Sequence, residues 1–188
     1  PAGVNNFITG TYGTPYPTEV LMAQTWNTDL LYDLGLAMGQ EYADVNNYGV
    51  YGPAMNTHRS AFAGRNFEYY SEDGVLAGKL AAAQVNAMAT KGTYSYIKHF
   101  ALNDQETNRC AFLLTYSNEQ AIREIYLKPF ELCIKNFDGT QIAVMSSFNW
   151  IGTVPACANE DTLTTILRNE WGFQGMVITD YDGSYGYM

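Results

Sequence analysis

Three segments of this 188-residue sequence set chemically capable side chains where a strand-like run ends. Lys98 and His99 stand at the end of YSYIK in the stretch IKHFALNDQETNR, Ser146 and Ser147 end VMSS, and Asp180 follows GMVIT. An ionised carboxylate such as Asp180 is a competent nucleophile, and lysine, histidine and arginine donate to anions and hydroxyls. Singly, each residue has an ordinary reading: a strand-end Asp caps the next helix, and a lone His is a satisfied core residue. Cations gathered around Asp180 also have a purely structural reading, as an ion-pair network at the rim of the sheet. Their recurrence at successive strand ends favours function, because α/β folds build their sites at the carboxyl ends of strands.

The elements that would carry these residues are visible as alternation. Residues 27–44 read as a helix with Leu30, Leu31, Leu34 and Met38 on one face. Gly49–Met55 is a short apolar run, and a helix is predicted across Gly74–Lys91, with Tyr94–Lys98 as the next strand. Ser117 and Gln120 have the form of a capping box for a helix whose face is Ala121, Ile122, Ile125, Pro129 and Cys133. Pro129 inside that pattern predicts a kink or break. Gln141–Ser146 is strand-like, Asp161–Trp171 helical, and Gly175–Thr179 strand-like. Helices alternating with buried strands argue for an α/β fold with a parallel sheet. About four strand–helix units appear, half of what a (β/α)8 barrel needs; a small doubly wound sheet is the structural alternative.

Composition narrows the class. The net charge of −9, with no Lys/Arg cluster, weighs against nucleic acid. Apolar runs are too short to span a membrane. With His58 and His99 the only histidines, a histidine-rich metal site is not available. Cys110, Cys133 and Cys157 are widely spaced and odd in number, which suits buried free thiols and favours a reducing compartment such as the cytoplasm. The 15 Tyr, 9 Phe and 3 Trp suit the apolar faces of sugars, and equally an ordinary core.

Four longer motifs then occur in order: GRNFEYYSED (Gly64–Asp73), KHFALNDQETNR (Lys98–Arg109), MSSFN (Met145–Asn149) and GFQGMVITDYDG (Gly172–Gly183). Together they resemble glycoside hydrolase family 3, in its β-glucosidase-like branch. The resemblance runs from Pro1, which looks like the tail of that family's Asp-Gly-Pro-Ala-Gly motif, to just past Asp180. It implies a partial (β/α)8 TIM-type barrel of parallel strands and helices. It also implies a retaining, exo-acting β-glycosidase that removes terminal β-D-glycosyl residues through a covalent glycosyl-aspartate, with no metal or organic cofactor. By the same resemblance Asp180 is the nucleophile, Lys98 and His99 bind sugar hydroxyls, and Arg65 and Arg109 line the same subsite with Met145, Phe148 and Tyr181; Arg65, Lys98 and Arg109 so placed would favour the charged form of Asp180. Phe148 falls where many members have Tyr, and Tyr181 where they have Trp; both departures bear on substrate more than on reaction.

The resemblance further implies that residues 1–188 are an incomplete N-terminal barrel domain. A substrate-binding Asp is expected upstream of Pro1, and the acid/base, a Glu of a later domain, downstream of Met188. Glu68, Glu72 and Glu106 do not match that role. Alone, the chain is expected to be nearly inactive, and its open sheet edges to invite self-association. Two other readings stay open: a non-catalytic, sugar-binding fragment, and a Schiff-base aldolase using Lys98, which would need that lysine neutral in an apolar setting.

Overall fold

The structure is a computed structural model that describes residues 13–110, 113–139 and 141–181. The Pro1–Gly3 segment and the Asp182–Gly183 end of the last motif lie outside the described residues. A short helix, α1 (Glu19–Ala23), leads into α2 (Thr28–Asp44), which is capped by Asn27. The Asn27 side-chain oxygen accepts from the backbone N–H of Asp29 at 3.0 Å and of Leu30 at 3.1 Å, satisfying donors that a helix start leaves over. Asp73 does the same for α3 (Gly74–Thr90), accepting from Val75 at 2.7 Å and Leu76 at 3.2 Å.

The expected apolar face of α2 needs one correction. Leu31 and Met38 are buried and Leu34 is half-buried, but Leu30 is 47% exposed. Gly35 and Gly39 hold the buried face instead, because α2 lies very close on α3. A Cβ on Gly35 would stand 2.5 Å from the Gln84 carbonyl oxygen and 2.8 Å from the Ala87 Cβ. Gly35→Ala gains about 1 kcal/mol of helix propensity but must push two helices apart. We expect a net loss of about 1–2 kcal/mol, read as a lower urea midpoint at unchanged slope. A raised midpoint would mean that the helices separate freely.

Strand β1 (Gly49–Val50) is only the start of the expected Gly49–Met55 run. Pro53 has no N–H to give, so the ladder lapses and resumes beyond it. The Lys98 N–H donates to the Pro53 carbonyl at 3.1 Å, and the Met55 N–H donates to the Lys98 carbonyl at 2.8 Å. Strand β2 (Tyr94–Phe100) runs two residues past the expected end. After β3 (Leu114–Thr115) comes α4 (Glu119–Ala121), capped by Asn118 rather than Ser117: the Asn118 side chain accepts from the Ala121 N–H at 2.8 Å. The chain then widens into a π-helical turn, Ile122–Tyr126, and restarts as α5 (Lys128–Lys135) with Pro129 in its first turn. There the missing N–H costs nothing, so the predicted break falls at Leu127. The wide turn rotates Ile125 off the buried face that Pro129 and Cys133 share.

Next come β4 (Ile142–Ser146), β5 (Trp150–Ile151), β6 (Val154–Pro155), a π-helical stretch over Asp161–Glu170, and β7 (Val177–Ile178). Among the described residues four strands form a parallel sheet in the order β1–β2–β4–β7. Helices cross over between each pair. A doubly wound sheet doubles back on its own order; this one advances steadily in chain order, as the wall of a (β/α)8 barrel does. The alternative is therefore set aside, and the α/β fold with parallel strands is the one observed. Strands β3, β5 and β6 form a second, small sheet that periodicity did not reveal, since each has only two residues.

The core lies between helices and sheet, with Leu80, Val85, Ile97, Phe100, Phe130, Val144 and Leu167 buried in it. Phe100 meets Phe130 edge-on at 5.2 Å between ring centroids and Trp171 at 6.0 Å. Cys133 is a buried thiol as expected, whereas Cys110 is exposed, on the polar loop that follows β2.

Candidate active site

The strand ends are held together by polar ties to backbone. Neighbouring residues of a regular strand face opposite ways, and the register of β2 against β4 shifts between Ile97 and Phe100, where Lys98 and His99 sit. Buried Asn56 clamps this irregular stretch, donating to the His99 carbonyl at 2.9 Å and accepting from the His99 N–H at 2.8 Å. From β4, the Ser147 hydroxyl and the Asn149 amide both donate to the Ala101 carbonyl, at 2.9 and 3.1 Å. The Ser146 hydroxyl donates to the Ile178 carbonyl of β7 at 3.2 Å. The two serines flagged by their strand-end position thus tie backbone together; their ordinary reading holds.

Arg65, Lys98 and Arg109 do converge, but their partners are glutamates. Arg65 bonds to one oxygen of Glu68, and Lys98 Nζ lies 3.5 Å from the other. Arg109 lies 2.9 Å from one oxygen of Glu106; the other accepts from Asn103 at 3.1 Å and has Arg65 at 3.8 Å. Arg65, Lys98 and Arg109 are expected near Asp180, favouring its charged form; the ion pairs they form are with Glu68 and Glu106. The Arg65–Glu68 and Glu106–Arg109 spacings of three residues were in plain view. What the sequence could not show is that the loops after β1 and β2 meet, as they do where the Glu106 N–H donates to the Ala63 carbonyl at 3.1 Å.

His99 connects this cluster to Asp180. Its Nε2 lies 3.6 Å from Asp180 Oδ2, so Asp180 stands at the same strand ends as Lys98 and His99. Burial, and then the charges of Arg65, Lys98 and Arg109, hold the His99 ring well below the usual histidine range. The imidazole is therefore neutral at neutral pH, and its contact with Asp180 is not an ion pair. The Asp180 side chain is 12% exposed. Its Oδ1 accepts the Tyr181 N–H at 2.6 Å, and its Oδ2 has no hydrogen-bond partner among the described residues. One carboxylate oxygen is thus tethered and the other unengaged.

The remaining flagged residues spread around this point. Met145 is buried in β4 opposite Ile178, two residues before Asp180. Half-buried Phe148 lies under the Arg109 guanidinium, 4.8 Å from it, in a cation–π contact that orients the arginine. Tyr181 is 86% exposed. Lys98 faces carboxylates rather than the apolar pocket a Schiff-base lysine requires. No group of three or more His, Cys, Asp or Glu side chains among the described residues is placed to hold a metal ion.

Comparison with known proteins gives the family. The profile of the family described as "Glycosyl hydrolase family 3 N terminal domain" matches residues 2–186. Beta-glucosidase A of Butyrivibrio fibrisolvens is 44% identical over 174 residues, covering 93% of this chain and 21% of that protein. A probable beta-glucosidase I of Aspergillus clavatus is 38% identical over 187 residues, covering 98% and 22%. Among solved structures, beta-glucosidase 3B from Thermotoga neapolitana in complex with glucose superposes with a TM-score of 0.88 at 42% identity, over 96% of this chain and 25% of that one. The beta-glucosidase from Kluyveromyces marxianus in complex with glucose gives 0.90 at 33% identity, over 96% and 22%. The chain spans about a fifth of the length of the curated relatives it matches. By sequence, by fold and by the order of its motifs, it belongs to glycosyl hydrolase family 3, within that family's N-terminal domain.

Proposed function

We propose that these residues carry the nucleophile and sugar-binding half of a retaining, exo-acting β-glucosidase. The observation that carries this reading is the Asp180 carboxylate. It sits at a strand end, tethered through one oxygen and unengaged at the other, beside a neutral histidine on which the charges of Arg65, Lys98 and Arg109 act. In the reaction, an Asp180 oxygen attacks the anomeric carbon as the bond to the leaving oxygen breaks, giving a glycosyl-aspartate. Water then displaces the aspartate from the other face, so configuration is retained. Arg65, Lys98, His99 and Arg109 hold hydroxyls of the sugar, and Met145, Phe148 and Tyr181 wall it in. Charged donors on the sugar's hydroxyls hold the ring in place for the attack.

In this reading residues 1–188 belong to an N-terminal barrel. Its other strands, and the glutamic acid that protonates the leaving oxygen, come from elsewhere in the polypeptide. Four parallel strands among the described residues, and the engagement of every carboxylate oxygen of Glu68 and Glu106, support it. That the named relatives are β-glucosidases supports the choice of substrate.

The test is incubation of the full-length polypeptide, with its other strands and acid/base present, with 2,4-dinitrophenyl 2-deoxy-2-fluoro-β-D-glucoside. Its leaving group departs without protonation, and the fluorine slows breakdown of the intermediate. We expect one deoxyfluoroglucosyl group per chain, on the peptide that contains Asp180. A label on another carboxylate, or none, overturns the assignment.

A further inference from the structure

One carboxyl near the site has no part in the reaction described so far. Glu19, the first residue of α1, is buried, and its oxygens accept the Ala54 N–H at 3.2 and 3.4 Å. Ala54 is also the residue at which the chain after β1 bridges to both Lys98 and Tyr69. Glu19, Glu68 and Lys98 line one cavity of about 260 Å³, whose other walls include Met38, Tyr42 and Met88. A side chain that precedes the sheet in sequence thus reaches under the site's polar cluster and grips the strand end next to Lys98.

We infer that Glu19 is a positioning residue: by holding the Ala54 strand end beneath the Lys98–Glu68 pair, it sets where Lys98 meets the sugar. The inference rests on the glucosidase reading above. Burial, with the Glu68 charge adding to it, raises the Glu19 carboxyl well above the usual range, so it works as a neutral acceptor rather than a counter-ion. Glutamine keeps that acceptor. Leucine fills the same space but leaves the buried Ala54 N–H without a partner, a loss that a protein relieves by moving backbone.

The experiment compares inactivation by the fluoroglucoside in the wild type, Glu19→Gln, Glu19→Leu and Glu19→Asp, separating inhibitor affinity from the maximal inactivation rate. We expect Glu19→Leu to weaken affinity about tenfold or more, with the maximal rate within about twofold of wild type. Glu19→Gln should stay within about threefold of wild type in both constants. Glu19→Asp, too short to reach Ala54, should weaken affinity as leucine does, and it keeps the test open should the leucine variant fail to fold. In a Lys98→Met background the leucine substitution should cost nothing further, because its effect passes through Lys98.

Wild-type affinity in Glu19→Leu and Glu19→Asp would overturn the inference while leaving the glucosidase reading intact. So would equal losses in the glutamine and leucine variants, or a leucine effect that persists without Lys98. A wild type that takes no label fails at an earlier step: it overturns the glucosidase reading, and this inference with it.

Discussion

In the proposed full-length enzyme, Asp180→Ala is expected to lower hydrolysis of an aryl β-glucoside by on the order of 10⁴–10⁶-fold, the loss that follows when a covalent nucleophile is removed. The protein should otherwise stay folded. Asp180 meets its surroundings through the Tyr181 N–H and the His99 ring at 3.6 Å, and its side chain is partly open to solvent. Alanine leaves a space where, in the proposed reaction, the carboxylate attacks. Added azide should enter it and restore part of the rate on a 2,4-dinitrophenyl glucoside, giving the α-glucosyl azide, because one displacement inverts where two retain. A β-configured azide, or an alanine variant within tenfold of wild type without azide, would place the nucleophile elsewhere. Thermal unfolding of the variant distinguishes lost chemistry from lost fold.

The parts of the fold that were legible are those where one physical signal acts over many residues. The α3 helix keeps its boundaries because Asp73 caps it and a long run of small and apolar residues follows. The buried strand β4 shows as a continuous apolar run because both of its faces are covered. Where a reading slipped, a short-range pattern met a long-range contact. Leu30 fits the helical period of α2, but the buried face belongs to glycines whose value depends on α3, some fifty residues away. Asn118 took the cap from Ser117, a choice between adjacent polar residues that periodicity cannot make.

The site divides in the same way. Residue types and strand-end placement drew attention to Asp180, Lys98 and His99, and the structure sets these three at one end of the sheet. The wiring between them was hidden. Arg65 and Arg109, expected to line the subsite around Asp180, are each matched to a glutamate from their own loop. The arrangement gives the cluster fixed geometry, and among the described residues none of the three cations forms an ion pair with Asp180. The structural reading of these cations and the functional one are therefore compatible: the ion pairs position the donors, and the donors face the same strand ends as Asp180.

Asp104 supplies the second large effect, on stability rather than rate. It lies in the loop after β2, next to Asn103, and its Oδ1 accepts the Thr57 hydroxyl at 3.1 Å. Burial pushes its carboxyl up to about 7, while the Thr57 hydroxyl, the Arg59 charge and the Thr57 backbone pull the other way. In the unfolded chain an aspartate loses its proton near 3.8. Between those two pH values the unfolded chain has released a proton that the folded chain still holds. A group that binds its proton more tightly when folded contributes stability at low pH and loses it as pH rises. The contribution should be intact below about pH 4, fall across the interval, and be gone above about pH 7. Asp104→Asn mimics the protonated acid and can still accept from Thr57, but it cannot ionise. The two proteins should therefore have similar urea stabilities at pH 4, and the variant should be the more stable at pH 8 by on the order of 4 kcal/mol. Taking the difference cancels every other titrating group the two proteins share. If Asp104→Asn instead becomes the less stable protein as pH rises, the folded carboxylate is ionised and held by Arg59, and the proton on Asp104 was assigned to the wrong state.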